Sequence, residues 1–163
     1  MKQILITPKL CLGCRSCELA CAVEHSLSKE LFAAVIKKEQ PTARIFVETD
    51  GVINLPLQCR HCQDPACVNA CMSGALQRKP TTGMVVADQN KCVGCWMCVM
   101  ACPFGAIAQD PEYKVINKCD RCPDLDQPAC TVACPTGAVK FVEVSRFSQE
   151  RRKQYLTSFA EEE

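Results

Sequence analysis

The chain has 163 residues, a formal net charge of +1 and sixteen cysteines. A charge so close to zero does not favour a nucleic-acid-binding protein, because such proteins are typically basic. No apolar run approaches the roughly 18 residues that a membrane span needs, and the stretch Ile4–Ile6 is too short for a secretory signal. We therefore expect a cytoplasmic protein, free or peripheral to a membrane complex, whose thiols stay reduced.

The cysteines form four quartets, and none is left over. The gaps within a quartet are 2, 2 and 3 residues in the first and third, 2, 4 and 3 in the second, and 2, 7 and 3 in the fourth. This internal repeat is the dominant organising signal of the sequence. The quartets are Cys11, Cys14, Cys17 and Cys21; Cys59, Cys62, Cys67 and Cys71; Cys92, Cys95, Cys98 and Cys102; and Cys119, Cys122, Cys130 and Cys134.

The spacing predicts [4Fe–4S] clusters. In C-x2-C-x2-C a tight loop turns three sulfur atoms towards one small metal centre, and a helical turn then directs the fourth cysteine away from that centre. In two-cluster bacterial ferredoxins a run of this kind binds one cluster with three cysteines, and its fourth cysteine ligates the other cluster. The third quartet matches that run through Pro103. We therefore predict four [4Fe–4S] clusters.

Two other uses of sixteen cysteines fit less well. Eight disulfides would require an oxidising compartment, for which the sequence offers no signal. A structural zinc protein typically separates its C-x2-C pairs by a dozen or more residues, whereas here each quartet spans at most sixteen residues. A zinc protein remains the remote alternative.

If each fourth cysteine crosses to another cluster, the quartets must work in pairs. The second and third quartets are neighbours in sequence, which leaves the first to pair with the fourth. Pairing of the first with the second and of the third with the fourth is the open alternative. The crossed scheme predicts four ligand groups: group I, Cys11, Cys14, Cys17 and Cys134; group II, Cys59, Cys62, Cys67 and Cys102; group III, Cys92, Cys95, Cys98 and Cys71; and group IV, Cys119, Cys122, Cys130 and Cys21.

The segments between the quartets predict an α+β fold made of two bacterial-ferredoxin-like units, with short hairpins and cluster-binding loops. Residues 1–52 and 115–145 form the first unit, residues 53–114 form a second unit inserted in it, and residues 146–163 form a C-terminal tail. Short strands are expected at 4–6, 44–48, 52–55, 75–77, 84–86, 106–108, 114–116 and 138–144. Leu27, Leu31 and Val35 recur every four residues, which indicates a partly helical insertion.

The second position after the first cysteine differs between quartets. It is Gly13 or Gly94 in the first and third, and we expect a positive φ there, with close approach to a cluster. His61 and Arg121 occupy it in the second and fourth quartets. We interpret these two, and Arg60, as solvated side chains. The alternative is that their charge raises the potential of a nearby cluster.

The four quartets resemble the four-cluster electron-transfer subunits of the polyferredoxin class, which serve formate dehydrogenases, hydrogenases and molybdopterin oxidoreductases. The resemblance covers about residues 2–142 and implies the crossed pairing. The segment 11–26 is similar to the CO-dehydrogenase-associated (CooF-type) iron–sulfur proteins. That likeness implies CO dehydrogenase and a hydrogenase or NAD(P)-linked reductase as partners. Cys21 and Cys71 depart from the pattern, because Ala22 and Met72 replace the usual proline.

The sequence holds no recognisable catalytic constellation. It has neither G-x-G-x-x-G nor G-x-x-x-x-G-K-[ST], and clusters with four cysteine ligands leave no iron open to substrate. We therefore expect an electron carrier and not an enzyme. An electron-transfer subunit of another oxidoreductase and a free polyferredoxin are the alternatives to a CO-dehydrogenase-linked carrier.

Overall fold

The computed structural model describes residues 2–110 and 112–160. Pro111, which we expected in a turn between two strands, lies outside the described residues, as do Met1 and the last three residues of the predicted tail.

Short antiparallel pairs make up the β-structure. In the described residues, eight strands form four two-stranded sheets. Three of the sheets are local hairpins, and the fourth joins β1 to β8, with Ile4 opposite Phe141. The strands are β1 (Lys2–Ile6), β2 (Ile45–Thr49), β3 (Asn54–Gln58), β4 (Leu76–Arg78), β5 (Val85–Ala87), β6 (Ile107–Gln109), β7 (Ile116–Lys118) and β8 (Val139–Glu143).

The helices are mostly one or two turns long, because the cysteine loops and the strands leave few residues between them. They are α1 (Ser16–Glu24), α2 (Leu31–Ile36), α3 (Ala66–Asn69), α4 (Met97–Ala101), α5 (Ala129–Val132) and α6 (Val144–Ala160). The predicted α+β class is confirmed. None of the described helices has the length and apolarity that a membrane crossing needs.

Buried side chains gather in two hydrophobic cores. The first core lies between β1, β2, β8 and the helices α1 and α5, and it consists of Ile4, Cys17, Cys21, Ile45, Val47, Cys119, Cys130 and Val139. The second core lies among β4, β5, β6, β7 and α4, and it consists of Leu76, Val85, Cys98, Ile107 and Ile116. Thiols of the quartets are therefore part of the interior in both.

Two hairpins cross the predicted unit boundaries. The boundary at 52/53 falls in the loop between β2 and β3, and the boundary at 114/115 falls in the loop between β6 and β7. Ile116, which we assigned to the outer unit, packs in the second core. Each of these hairpins lies at one core, because Ile45 and Val47 of β2 pack in the first core and Ile107 and Ile116 of β6 and β7 pack in the second.

The insertion after the first quartet is less helical than its apolar spacing predicts. Its helix α2 has only six residues, and Leu27 lies outside it, 92% exposed. Lys29 has a φ of 51°, which a helix does not accommodate, and its N–H donates to Ser26 Oγ at 2.9 Å. The apolar repeat therefore marks exposed side chains here and not a buried helical stripe.

Candidate iron–sulfur cluster sites

Each quartet begins in a loop and ends at a short helix. The third cysteine of every quartet lies in the helix, namely Cys17 in α1, Cys67 in α3, Cys98 in α4 and Cys130 in α5. In three quartets the fourth cysteine follows one or two residues after the helix, whereas Cys21 is still within α1. The third and fourth cysteines of each quartet are thus about one helical turn apart.

The backbone of each loop is left-handed at the second position after the first cysteine. Gly13 and Gly94 have φ values of 70° and 67°, so the expected positive φ is confirmed. His61 and Arg121 adopt the same conformation, with φ of 49° and 63°. All four loops therefore make the same turn, although only two of them carry the residue type for which it costs least.

Two fourth cysteines share one hydrogen-bonding pattern. Cys71 Sγ accepts the N–H of Leu76 at 3.4 Å, and the hydroxyl of Ser73 lies 3.7 Å away. Cys134 Sγ accepts the N–H of Val139 at 3.5 Å. Burial works against the ionised thiol, but such donors hold the pKa of both cysteines below the ordinary value. The strand that follows each quartet thus presents a donor to sulfur.

Cys21 obtains its donors from more distant residues. Its Sγ accepts the N–H of Arg44 at 3.2 Å, 23 positions further on and directly before β2. His25 Nδ1 lies 3.7 Å from the same sulfur atom. The insertion therefore separates Cys21 from its strand in sequence but not in space.

The thiols of groups I and IV have neighbours from both ends of the sequence. Burial, and then the charges of Glu18 and Cys134, raise the pKa of Cys17 to about 11. Burial, and then the charge of Cys21, raise the pKa of Cys119 to about 12, against the pull of a backbone N–H. For Cys130, burial and then the charges of Cys119, Cys21 and Cys122 raise the pKa further. Helix α1, which carries Cys17 and Cys21, packs against α5, which carries Cys130, so thiols of the first and fourth quartets are neighbours.

The second and third quartets also exchange neighbours. Burial, and then the charges of Cys59 and Cys102, raise the pKa of Cys67 to about 11, although Lys118 acts in the opposite direction. Burial, and then the charges of Cys71 and Cys92, raise the pKa of Cys98. One small cavity is lined by all four thiols of group II, together with Phe104 and other apolar residues.

The groups differ in their access to solvent. Cys14 of group I and Cys95 of group III are exposed, whereas Cys119, Cys122 and Cys130 of group IV are buried. Cys59 and Cys119 lie close enough for the charge of the first to raise the pKa of the second. Group IV is therefore interior and adjacent to group II.

A polar network next to group IV was not predicted from the sequence. His25 Nε2 lies 3.2 Å from Asp120 Oδ1, and Arg44 pairs with the other carboxylate oxygen. Burial disfavours ionisation of Asp120, but the His25 hydrogen bond and the Arg44 charge hold its pKa well below the ordinary value. These partners lie 95 and 76 positions apart, and only the position of Asp120 beside Cys119 could have indicated a role.

The prediction that His61 is solvated is wrong. His61 is 6% exposed, and its Nδ1 accepts the N–H of Val85 at 3.1 Å. Burial, and then the charges of Lys118 and Arg121, lower the pKa of His61 to about 3, so the imidazole is neutral. Arg60 is exposed, as predicted, and it also stacks over the ring of Phe104, with 4.4 Å between guanidinium and ring centroid.

These features fit iron–sulfur clusters. Thiols from different quartets lie together, donors point at sulfur, and burial followed by the charges of neighbouring thiolates raises the pKa of several thiols. Iron binds the thiolate form and supplies positive charge, and backbone donors to sulfur are a normal feature of such sites. The donor set is also free of carboxylates, which harder metals prefer.

Comparison with known proteins agrees with this chemistry. The 4Fe-4S dicluster domain matches residues 50–144, and a 4Fe-4S binding domain matches residues 8–24. An iron–sulfur protein of Rhodospirillum rubrum is 38% identical, with 88% of this chain and 83% of the relative covered. The electron transport protein HydN of Escherichia coli K12 is 34% identical, with 96% and 98% covered.

A third relative is one component of a larger enzyme. The B subunit of the anaerobic dimethyl sulfoxide reductase of Escherichia coli K12 is 35% identical, with 80% of this protein and 68% of the relative covered. The extent of these matches, together with the grouped thiols, shows that this protein belongs to the 4Fe-4S dicluster-domain family and is an electron-transfer iron–sulfur protein.

Proposed function

We propose that this protein relays single electrons through four [4Fe–4S] clusters, which are held by groups I to IV in the crossed scheme. When bound, each cluster supplies a one-electron couple whose potential depends on its charge, hydrogen bonds and exposure. The observation that supports the proposal is the proximity of thiols from different quartets, since helix α1 with Cys17 and Cys21 packs against α5 with Cys130, and Cys134 acts on Cys17. The protein itself is not a catalyst in this proposal.

The contacts between groups favour one linear order. Cys17 of group I acts on Cys130 of group IV, and Cys59 of group II acts on Cys119 of group IV. Helix α3, which carries a group II cysteine, packs against α4, which carries a group III cysteine. We infer the order I, IV, II, III.

The two ends of this order are the exposed ones. Leu12 near group I is 70% exposed, and Val93 and Met100 near group III are 71% and 79% exposed. With Cys14 and Cys95 also exposed, groups I and III are the natural points for electrons to enter and leave. The fold buries group IV, which protects an interior position from solvent.

The partners that we propose are a CO dehydrogenase on one side and a hydrogenase or NAD(P)-linked reductase on the other, in the cytoplasm. The support is the resemblance of the segment 11–26 to CO-dehydrogenase-associated proteins. The second candidate is a subunit of a hydrogenase-linked or molybdopterin enzyme, and it is favoured by relatives named for electron transport and for dimethyl sulfoxide reduction.

Paired cysteine variants test the ligand groups. Cys21→Ser and Cys122→Ser should each cost up to about four irons, and the double variant should cost no more, because both residues serve group IV. Cys21→Ser combined with Cys14→Ser should cost about twice as much, because group I is then damaged too. Additive loss in the first pair, with no added loss in the second, would overturn the crossed scheme.

An anaerobic pull-down tests the partners. The proteins recovered with the tagged protein are supplied in turn with CO, formate and H2 while the visible absorption of the clusters is followed. We expect CO to reduce the clusters through the recovered partner. Reduction by formate or H2 without reduction by CO supports the second candidate, and the absence of any bound partner indicates a free polyferredoxin.

A further inference from the structure

A buried lysine lies where the two cores meet. Lys118 is the last residue of β7 and is 5% exposed. Its Nζ donates to the carbonyl oxygen of Val85 at 2.5 Å and to that of Cys119 at 3.0 Å. No carboxylate within residues 2–110 and 112–160 forms an ion pair with it. The side chain is thus satisfied in hydrogen bonds but not in charge.

An ammonium group buried in this way is expensive, because water is lost and no opposite charge replaces it. The neighbouring side chains do not supply one. Arg121 is also cationic, and His61 is neutral because its pKa is about 3. Asp120 and Asp88 line one cavity with Lys118, but Asp120 is already engaged by Arg44 and His25, and Asp88 pairs with Lys91.

The thiolates of group II are a nearby source of negative charge, because Lys118 binds the carbonyl oxygen of Val85, and Val85 lines one cavity with all four of these thiols. Lys118 acts on Cys67 in the sense that favours its thiolate, and Cys67 lines one cavity with the other three thiols of group II. Val85 connects these features, since its N–H binds His61 of the second quartet and its carbonyl oxygen binds Lys118.

We propose that Lys118 is the buried counter-charge of group II and raises the reduction potential of the cluster held there. A cluster gains one negative charge on reduction, so a fixed positive charge nearby stabilises the reduced form. Lys118 acts on the group II site through its charge and through the carbonyl oxygen of Val85, and it is therefore a positioning residue. This inference rests on the proposed function.

Three variants of Lys118 separate charge from shape. Lys118→Met is neutral and of similar length, Lys118→Gln is neutral and keeps a hydrogen-bond donor, and Lys118→Arg keeps the charge. Lys153→Gln is the matched control, because Lys153 is exposed on α6. All are purified anaerobically as full-length holoprotein, and their redox titrations are followed by electron paramagnetic resonance and visible absorption.

We expect both neutral variants to lower the midpoint potential of one of the four one-electron steps. At a fixed applied potential the ratio of reduced to oxidised cluster should fall about tenfold, which equals a shift of about 59 mV. Lys118→Arg should retain most of the native value, and Lys153→Gln should leave all steps unchanged. Loss of group II iron in both neutral variants but not in Lys118→Arg would also support the counter-charge.

Three results would overturn the inference: unchanged potentials in fully loaded neutral variants, an equal shift in Lys118→Arg, or an equal shift of all four steps. Loss of iron in Lys118→Arg as well as in the neutral variants would indicate a steric role and would also count against it. Wild-type protein without iron contradicts the proposed function, whereas a loaded protein indifferent to Lys118 contradicts only this inference.

Discussion

The two cores are built from different materials. Among the described residues, four of the eight buried members of the first core are cysteines, against one of five in the second. Each core buries four aliphatic side chains, so each has some hydrophobic stabilisation of its own. Because half of the buried members of the first core are cysteines predicted to bind iron, we expect a larger share of its stability to depend on bound iron.

The quartets also differ in how far in sequence the hydrogen-bond donor to the fourth sulfur atom lies. The second and fourth quartets lead directly into a strand whose first N–H binds the fourth sulfur atom, as at Leu76 and Val139. The first quartet reaches its strand only after the insertion, through Arg44. A local donor is in place as soon as the turn forms, whereas the donor to Cys21 requires a closed loop of 23 residues.

Removal of iron should produce the largest difference in stability between the two cores. We expect an anaerobic chelator to unfold most of the protein, because small metal-binding domains often fold only with their metal. The first core should open before the second. Hydrogen exchange should show this as loss of protection at Ile45, Val47 and Val139 ahead of Leu76 and Ile107.

The contradicting result is simultaneous or reversed loss of protection. Native-like tertiary signals in the iron-free protein would contradict the broader expectation that the clusters hold the fold together. The wild-type holoprotein kept in the same buffer without chelator is the control.

Gly13 and Gly94, which occupy the same position in the first and third quartets, should give an effect of intermediate size when replaced. A Cβ at Gly94 would lie 2.4 Å from the carbonyl oxygen of Lys114, whereas a Cβ at Gly13 would lie 2.8 Å from the side-chain oxygen of Asn54. Both positions have positive φ, which costs an alanine about 1–2 kcal/mol. Backbone cannot move aside as a side chain can, so Gly94→Ala should lower the apparent Tm of the anaerobic holoprotein more than Gly13→Ala. An equal or opposite ranking would show that the Lys114 loop yields freely.

The loops of the β2–β3 and β6–β7 hairpins, one at each core, should give the smallest effect. Asp110 accepts the N–H of Tyr113 at 2.9 Å and the amide of Asn117 at 2.8 Å. Burial opposes its ionisation, but these donors lower the pKa of Asp110. Its contribution is therefore present above the ordinary pKa of 3.8 and is lost as the pH falls below it.

Replacement of Asp110 by alanine should cost about 1 kcal/mol at pH 7. Asp50 in the β2–β3 hairpin accepts two backbone N–H groups, from Val52 and Ile53, so Asp50→Ala should cost less. Denaturant unfolding of the two holoprotein variants measures the difference, and a larger loss for Asp50→Ala would be inconsistent with the role of Asn117.

The sequence was most informative where the chemistry is local. Cysteine spacing predicts the loops, the helical turns and the glycine conformations, because each depends on a few adjacent residues. Alternating apolar residues predict most strands to within two residues, although β3 begins at Asn54 and continues through Pro56 to Gln58. Proline in that strand is unusual and hid its extent.

Features that depend on tertiary contacts were not predictable. His61 is typical of a surface residue by type, and only the fold buries it beneath Val85. The contacts of Asp120 and Lys118 likewise join residues from distant segments. The apolar spacing at Leu27, Leu31 and Val35 misled the prediction, because periodicity records a shared face but not what covers it.

The most direct test of the account is the metal content of anaerobically purified wild-type protein. We expect a brown protein with about sixteen irons and about sixteen acid-labile sulfides per molecule, as four [4Fe–4S] clusters require. A colourless, iron-free protein that is nevertheless compactly folded would contradict it.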